Sequence, residues 1–533
     1  MGRISSTPLA AFRGIIKTYF DSVVRLFPHE AEEWGLPGCS ERLGANTPEV
    51  YREWNGIQRE LLVRLERLPP HAFSGDEWLD RRCLLAHLRT GIFNSETRAT
   101  WRTNPQHHTD TAFNVILLPI LRHRGTRAKL ESTLRVRLAA LPEFLAAGLD
   151  CVRLPVPLWR DLTVESCGGA AAFFNGLKTE YPGINAALFD GAVRAFDRFA
   201  AGLSRKKAGA VDGYSVGREA FEFLIRERTG LDWTLPEAEA SGLALVEQLE
   251  GELAREARKF GKKPANELLA EARAQWTPAG PLLGEYQRVT EEVRRRFVEK
   301  DLMTMPPGER LRVVAVPEFL SNSFPTAAYH QPPPFSKEQT GIFWVNDLSL
   351  KASSAEEALA EQRQHFGMTL TCAHEAYPGH HLQFVVQNRH PSRIRRIFAH
   401  AIFYEGWTLW CEKMCLDHGI ADDPYAKLGQ IHDALWRAHR IVIDCGLHSG
   451  GLSLKGARKR LQEGVGFTAG RAQGDINWYT NAPTVPMSYL LGRLELERVY
   501  AAKQRLGWTV KQFNDWALGF GAVPWRWVEM AND

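Results

Sequence analysis

Residues 374–381 read His-Glu-Ala-Tyr-Pro-Gly-His-His, and the apolar pattern running into them places the first two on a helix. A histidine followed directly by a glutamate on a helix is how a zinc-hydrolase site opens. In the usual H-E-x-x-H form, two histidines four apart share a face and the glutamate polarises the metal-bound water. Here the fourth position after His374 is Pro378, which removes a backbone donor and clashes with the preceding turn. The second ligand is then His380 or His381. A straight helix puts His374 and His381 on one face but roughly 10 Å apart along its axis, too far for one ion. A break at Pro378-Gly379 that folds the second half back lets His380 take the ligand position, so His380 is preferred and His381 is the alternative. The plainer reading is a kinked core helix with satisfied histidines. Against it, four polar groups in eight residues, flanked by Leu370, Leu382, Phe384 and Val385, are costly to bury without a ligand.

A third ligand is expected downstream, in RIFAHAIFYEGWTLWCEKM, where Phe398, Ile402, Glu405 and Leu409 fall at spacings of four, three and four. That is one helix face. A carboxylate in an apolar stripe needs a cation or donors to offset its burial, which makes Glu405 the candidate, with Glu412 one heptad on as its support. A further helix, from about 427 to 447, carries Arg437, Arg440, Asp444 and His448 on a polar stripe. Its spacings predict an Arg440–Asp444 ion pair and an Asp444–His448 contact that orients the imidazole toward a substrate carbonyl or oxyanion. In PTVPMSYLLGRLELERVY, Tyr489 and Arg493 lie four apart on a helix whose Gly492 permits close packing. A tyrosine and an arginine together suit an oxyanion or a terminal carboxylate.

Taken in order, these pieces resemble the bacterial family catalogued as domain of unknown function 885, whose members look like zinc metallopeptidases of the glutamate-zincin type. The resemblance rests on Tyr329 with its proline run and GIFWVN, then HEAYPGHHLQ, YEGWTLWCE, RAHRIVIDCGLH, SYLLGRLELE and FNDWALGFGAVPWRW. It spans about residues 310–533 and, more faintly, FPHEAEEWGLPG near the start. It implies that His374, one of His380 or His381, and Glu405 hold the metal, and that Glu375 is the catalytic base. It implies too that Tyr329, Arg437, Arg440, Asp444, His448, Tyr489 and Arg493 line or brace the site. One departure is Pro483-Thr484-Val485-Pro486, where family members carry a glutamine, so a hydrogen-bonding side chain is missing there.

The chain has 533 residues, of which 44% are hydrophobic and 24% charged, enough to build and cover a large core. A net charge of +4 gives no reason to invoke nucleic acid. No apolar run approaches the roughly 18–20 residues that cross a bilayer, and the start lacks a continuous signal segment, so a cytoplasmic location without membrane attachment is the expectation. The eight cysteines follow no disulfide-framework spacing.

Helical periodicity dominates up to about residue 302, and strand signals are confined to LRVVAVP from 311 and GIFWVN from 341. The expected architecture is a mainly α, bilobed helical protein. It has an N-terminal helical lobe over 1–305 and a metal-binding catalytic lobe over 306–533, where those two strands pair as a small antiparallel sheet beside the metal helix. Ser353 or Ser354 caps that helix, with Glu356 or Glu357 completing a capping box, and the helix runs on to His374. By analogy with glutamate-zincins, the 341–346 strand is expected to hold an extended substrate.

The function this predicts is zinc-dependent cleavage of an amide in a short peptide or amino-acid conjugate. Glu375 acts as general base, and His448 and Tyr489 share the oxyanion charge. Two alternatives stay open: iron or manganese in the same ligand set acting on a small molecule in a specialised pathway, and a non-catalytic peptide-binding protein with a structural metal. A homodimer is compatible with either.

Overall fold

A computed structural model describes residues 7–39, 42–123, 125–316 and 326–532. The protein is mainly α-helical with one small three-stranded sheet, and it divides into two compact units, Met1–Tyr214 with Pro333–Ser336 and Ser215–Pro332 with Lys337–Asp533.

The first unit is all helical among its described residues. Helix α1 (Pro8–Leu26) starts where Thr7 accepts the Ala10 amide, and it buries Phe12, Ile15, Tyr19, Phe20 and Val23, an i, i+3, i+7, i+8, i+11 stripe. Phe20 meets the rings of Trp34 and Phe335 at 5.8 and 5.7 Å. The turn carrying Trp34 is closed by Gly35, whose φ of +80° suits glycine. Helices α2 (Gln106–Arg122), α3 (Arg127–Cys151) and α4 (Ala186–Ser204) pack side by side around Leu134, Leu138, Leu141 and Phe196.

The second unit begins well before residue 305, where the sequence reading set the boundary. The reason is that α5 (Leu235–Ala257) packs along α11 (Ala426–Ser449), a helix of the part that carries His374. Gly242 of α5 lies so close that a Cβ would come within 2.9 Å of Ile441 and Val442. Helix α6 (Ala265–Gln275) completes this wall.

The sheet has the order β1 (Arg310–Ala315), β3 (Thr340–Val345), β2 (Ala327–His330). This corrects the expected antiparallel pairing: β1 and β3 run parallel, with Arg310 opposite Thr340 and Ala315 opposite Val345. The antiparallel neighbour of β3 is β2, with Tyr329 opposite Phe343. A parallel pair needs a long crossover, and the 316–339 connection supplies one with room for a strand of its own. Every residue of β3 is buried, as a central strand's should be, so the sheet's edges are β1 and β2 and not 341–346. The last residue of LRVVAVP, Pro317, lies outside the described residues.

The helix expected to run from Ser354 to His374 is two. Ser354 does cap α7 (Ala355–Arg363), accepting the Glu357 amide at 3.1 Å, while Glu357 accepts the Ser353 amide. The chain then turns at Gly367, with φ +84°, and restarts as α8 (Met368–Glu375). After the break come α9 (His380–Gln387), α10 (Ala401–Asp417), α11, α12 (Ala469–Asn481) and α13 (Val485–Arg505). Helices α10 and α13 cross at a glycine pair: a Cβ on Gly492 would lie 1.9 Å from the Ile402 carbonyl oxygen, and one on Gly406 2.4 Å from the Gly492 backbone.

Candidate metal centre

Gly379 decides where His380 goes. A Cβ there would sit 1.8 Å from the His374 carbonyl oxygen and 2.4 Å from that of Ala373, so only glycine lets the chain fold back over the last turn of α8. The Trp407 indole of α10 donates to the Pro378 carbonyl at 2.8 Å and ties the bend down. As a result the His374 and His380 rings stand 5.0 Å apart, nearly perpendicular.

Glu405 reaches the same point from α10. Its Oε2 is 3.9 Å from His374 Nε2 and 3.6 Å from His380 Nε2. Donor atoms of these three side chains all lie within 4.8 Å of one another. Edges of this order are close to those of a tetrahedron of ligands about 2.0–2.2 Å from a zinc ion. Glu405 Oε2 is buried and accepts no hydrogen bond, while the Tyr489 hydroxyl bonds the carboxylate. Burial pushes the Glu405 carboxyl up to about 7, against the pull of Tyr489, Arg440 and Arg437. Burial, with the charges of Arg437 and Arg440, pulls His374 down to about 3, and burial lowers His380 too, so both imidazoles keep a lone pair for a cation. An orphaned carboxylate oxygen facing two neutral imidazoles fits a divalent metal.

Glu412 accepts from His374 Nδ1 at 2.8 Å, which fixes the ring with Nε2 toward Glu405. His381 turns the other way. It is fully buried, with Nε2 3.1 Å from Glu309 and Nδ1 3.1 Å from the Tyr329 hydroxyl, so the choice between the two histidines falls on His380. Glu375 lies beside the centre; burial, with the charge of Glu405, raises it to about 8, and the Tyr329 backbone amide donates to it.

The remaining expected residues divide. Tyr489 joins the centre through Glu405. Arg440 stacks 4.6 Å over Tyr489 and 4.0 Å over Trp436, and its Nε donates to Tyr479 at 2.8 Å. It does not pair with Asp444. Arg437 lies 3.4 Å from Asp433, and Arg493 pairs with Glu497 at 3.2 Å. Asp444 is wholly buried: its Oδ1 lies 3.6 Å from His448 Nε2, as the spacing of four predicted, and its two oxygens accept the amides of Thr484 and Met487, both at 3.3 Å, at the start of α13. His448 is equally buried, stacked on Phe221 and 3.0 Å from the Tyr479 carbonyl, and it does not line the cavity over the metal centre. That cavity, about 410 Å³, opens over His374, Glu375 and Glu412 and is walled by α6, α8, α11 and α12.

The sequence reading missed Glu309, which takes His381 Nε2, Tyr377 and Arg294. It also missed the Arg471, Asp475, Tyr479 row on α12, whose spacing of four was there to be seen.

The sequence profile of a bacterial family of proteins of unknown function, DUF885, matches residues 28–531. No curated protein matches the chain significantly. Among solved structures, one from Shewanella oneidensis is similar at a TM-score of 0.77 and 18% identity, covering 99% of both chains. Another, from Colwellia psychrerythraea, has a TM-score of 0.76 at 18% identity and covers 98% of both. Both are described as putative lipoproteins, and with them the cytoplasmic location expected from the sequence is withdrawn. No helix among the described residues is long and apolar enough to cross a membrane.

Proposed function

The chain belongs to the DUF885 family of bacterial proteins of unknown function, and from that premise we propose that it is a zinc-dependent hydrolase cleaving an amide bond in a short peptide or amino-acid conjugate. The observation that carries this reading is the convergence of His374, His380 and the unpartnered Glu405 Oε2 beside Glu375. A zinc ion held by those three side chains supplies a Lewis acid and a water of lowered pKa at the position they leave open.

Glu375 is the base. It takes the proton of the attacking water and hands it to the leaving amine. The Tyr329 amide holds it in place. Tyr489, whose hydroxyl donates to Glu405 here with the Arg440 guanidinium over its ring, would have to turn that one proton to the developing oxyanion.

The outer edge of β2 suits an extended backbone. The Asn346 amide donates to Thr326 at 3.0 Å, so in this register Ala328 and His330 face β3 while the backbone of Ala327 and Tyr329 faces away, and Thr326 and Ala327 line the cavity. A peptide laid there adds a strand whose carbonyls pass Glu375.

A closed structural site is disfavoured, because Glu412 is engaged with His374 and His381 with Glu309, leaving neither to complete a fourth ligand. Iron or manganese would use the same donors. Elemental analysis of protein purified without added metal, joined to a Glu375→Gln variant, separates these. Zinc at one per chain, with the variant keeping it and losing roughly 10²–10⁴-fold in turnover on a panel of peptides and amino-acid amides, is the expected result. Undiminished turnover in the variant overturns the assignment.

A further inference from the structure

Arginines gather on one wall of the cavity that opens over His374 and Glu375. Trp436 of α11 has three guanidiniums over its ring, those of Arg437 and Arg440 at 4.0 Å each and that of Arg471 at 5.1 Å. Two of these charges are taken. Arg440 is held by Tyr479 with Asp475 beyond it at 4.0 Å, and Arg437 by Asp433.

Arg471 is different. It rises from the first turn of α12, lies 3.8 Å over Phe467, and has no ion pair or side-chain hydrogen bond among the described residues. Arg273, at the end of α6, is likewise without an ion pair there, and both line the cavity that opens over His374 and Glu375. Asp433 and Asp475 lie near enough for their charges to act on Arg471, but neither forms an ion pair with it: Asp433 pairs with Arg437, and Asp475 takes the Tyr479 hydroxyl. A guanidinium resting on a phenyl ring at the mouth of a cavity, beside two like charges and with no ion pair of its own, keeps its fork of donors open to a two-pronged carboxylate.

We propose that Arg471, with Arg437 and Arg273 beside it, is a subsite for a carboxylate on the substrate, either a free C-terminus or an acidic side chain. The subsite sets which substrates enter the cavity. It rests on the hydrolase reading only for the statement that its ligand is also cleaved.

The test uses full-length, zinc-loaded Glu375→Gln protein and calorimetric titration with three probes: Gly-Phe-Gly, its C-terminal amide, and the amide of Gly-Glu-Gly. A carboxylate probe should bind about tenfold more tightly than the Gly-Phe-Gly amide, the margin of a charge-assisted over a neutral hydrogen bond. Which carboxylate probe gains identifies the source. Adding Arg471→Gln should bring all three within about twofold, while Arg471→Lys keeps part of the preference. Equal binding of the three probes, binding of none, or a preference untouched by Arg471→Gln overturns the subsite. Turnover by the native protein is read separately. Carboxylate-selective binding without cleavage sinks the hydrolase reading and leaves the subsite standing, whereas cleavage without selectivity does the reverse.

Discussion

Replacing Gly379 by alanine adds one methyl group and should dismantle the proposed metal centre. The new Cβ would lie 1.8 Å from the His374 carbonyl oxygen and 2.4 Å from that of Ala373. An ordinary carbon–oxygen contact is roughly 3.3–3.6 Å, so the two strands of the bend must part by about 1.5 Å. Both oxygens are backbone, and neither can swing aside. A metal site tolerates about 0.2 Å in its ligand distances, several times less than this displacement. If the bend holds, the overlap costs ~3 kcal/mol or more. If it yields, His380 leaves Glu405 and zinc affinity falls by more than the ~100-fold that loss of an outer support costs. The assay is zinc competition against a chromophoric chelator, together with thermal unfolding with and without zinc, since a ligand that binds only the folded state raises the midpoint. Gly474→Ala is the control: it lies inside α12 with nothing within 4 Å of its Cβ, and should gain about 0.5–1 kcal/mol. A Gly379→Ala protein with native zinc affinity and the native zinc-induced rise in midpoint would refute the account of the bend.

Two further outcomes follow from the histidine pair. His380→Ala should abolish stoichiometric zinc, while His381→Ala keeps the stoichiometry and loses about 10–100-fold in affinity, because Glu309 and Tyr329 each lose a hydrogen bond that braces the bend; elemental analysis showing the reverse order would exchange their roles. Glu309 gives a pH signature. Burial alone would raise its carboxyl, but His381, Tyr377 and Arg294 outweigh it and hold the group near 2, against an ordinary 4.5. The unfolded chain therefore takes up a proton below pH 4.5 that the folded one refuses. The stability Glu309 provides is present above that pH and is lost, to the extent of ~3 kcal/mol, as pH falls toward 2. Urea midpoints of native and Glu309→Gln protein should differ at pH 7 and converge near pH 2–3, and a constant gap would contradict this.

Much of the centre was legible because it is local. The spacing from Phe398 to Leu409 put Glu405 on the apolar face of its helix, Gly492 announced a close crossing, and Pro378-Gly379 forced a bend that favoured His380 over His381. What was not legible depended on partners far along the chain. The i, i+4 spacing brings His448 within 3.6 Å of Asp444, but not Arg440: Asp444 also takes amides of the Thr484–Met487 turn, and Arg440 goes to Tyr479, 40 and 39 positions on. Glu309, 72 positions before His381, had no periodic signal at all. The strand at Ala327–His330 is only four residues long and sits in a stretch rich in proline, so the pairing of its neighbours was read without it.

The four residues Pro333–Ser336 belong to the first compact unit although the chain on both sides of them belongs to the second, so the backbone passes from one to the other three times. Phe335 rests on Phe20 and its amide donates to the Trp34 carbonyl at 2.9 Å. No single cut therefore yields two self-sufficient fragments. A piece beginning at Ser215 would carry a naked phenylalanine with no ring to meet, and a piece ending at Tyr214 would expose Phe20 in exchange. Anyone trimming this protein for crystallisation or for a minimal metal-binding fragment would do better to shorten loops than to divide it.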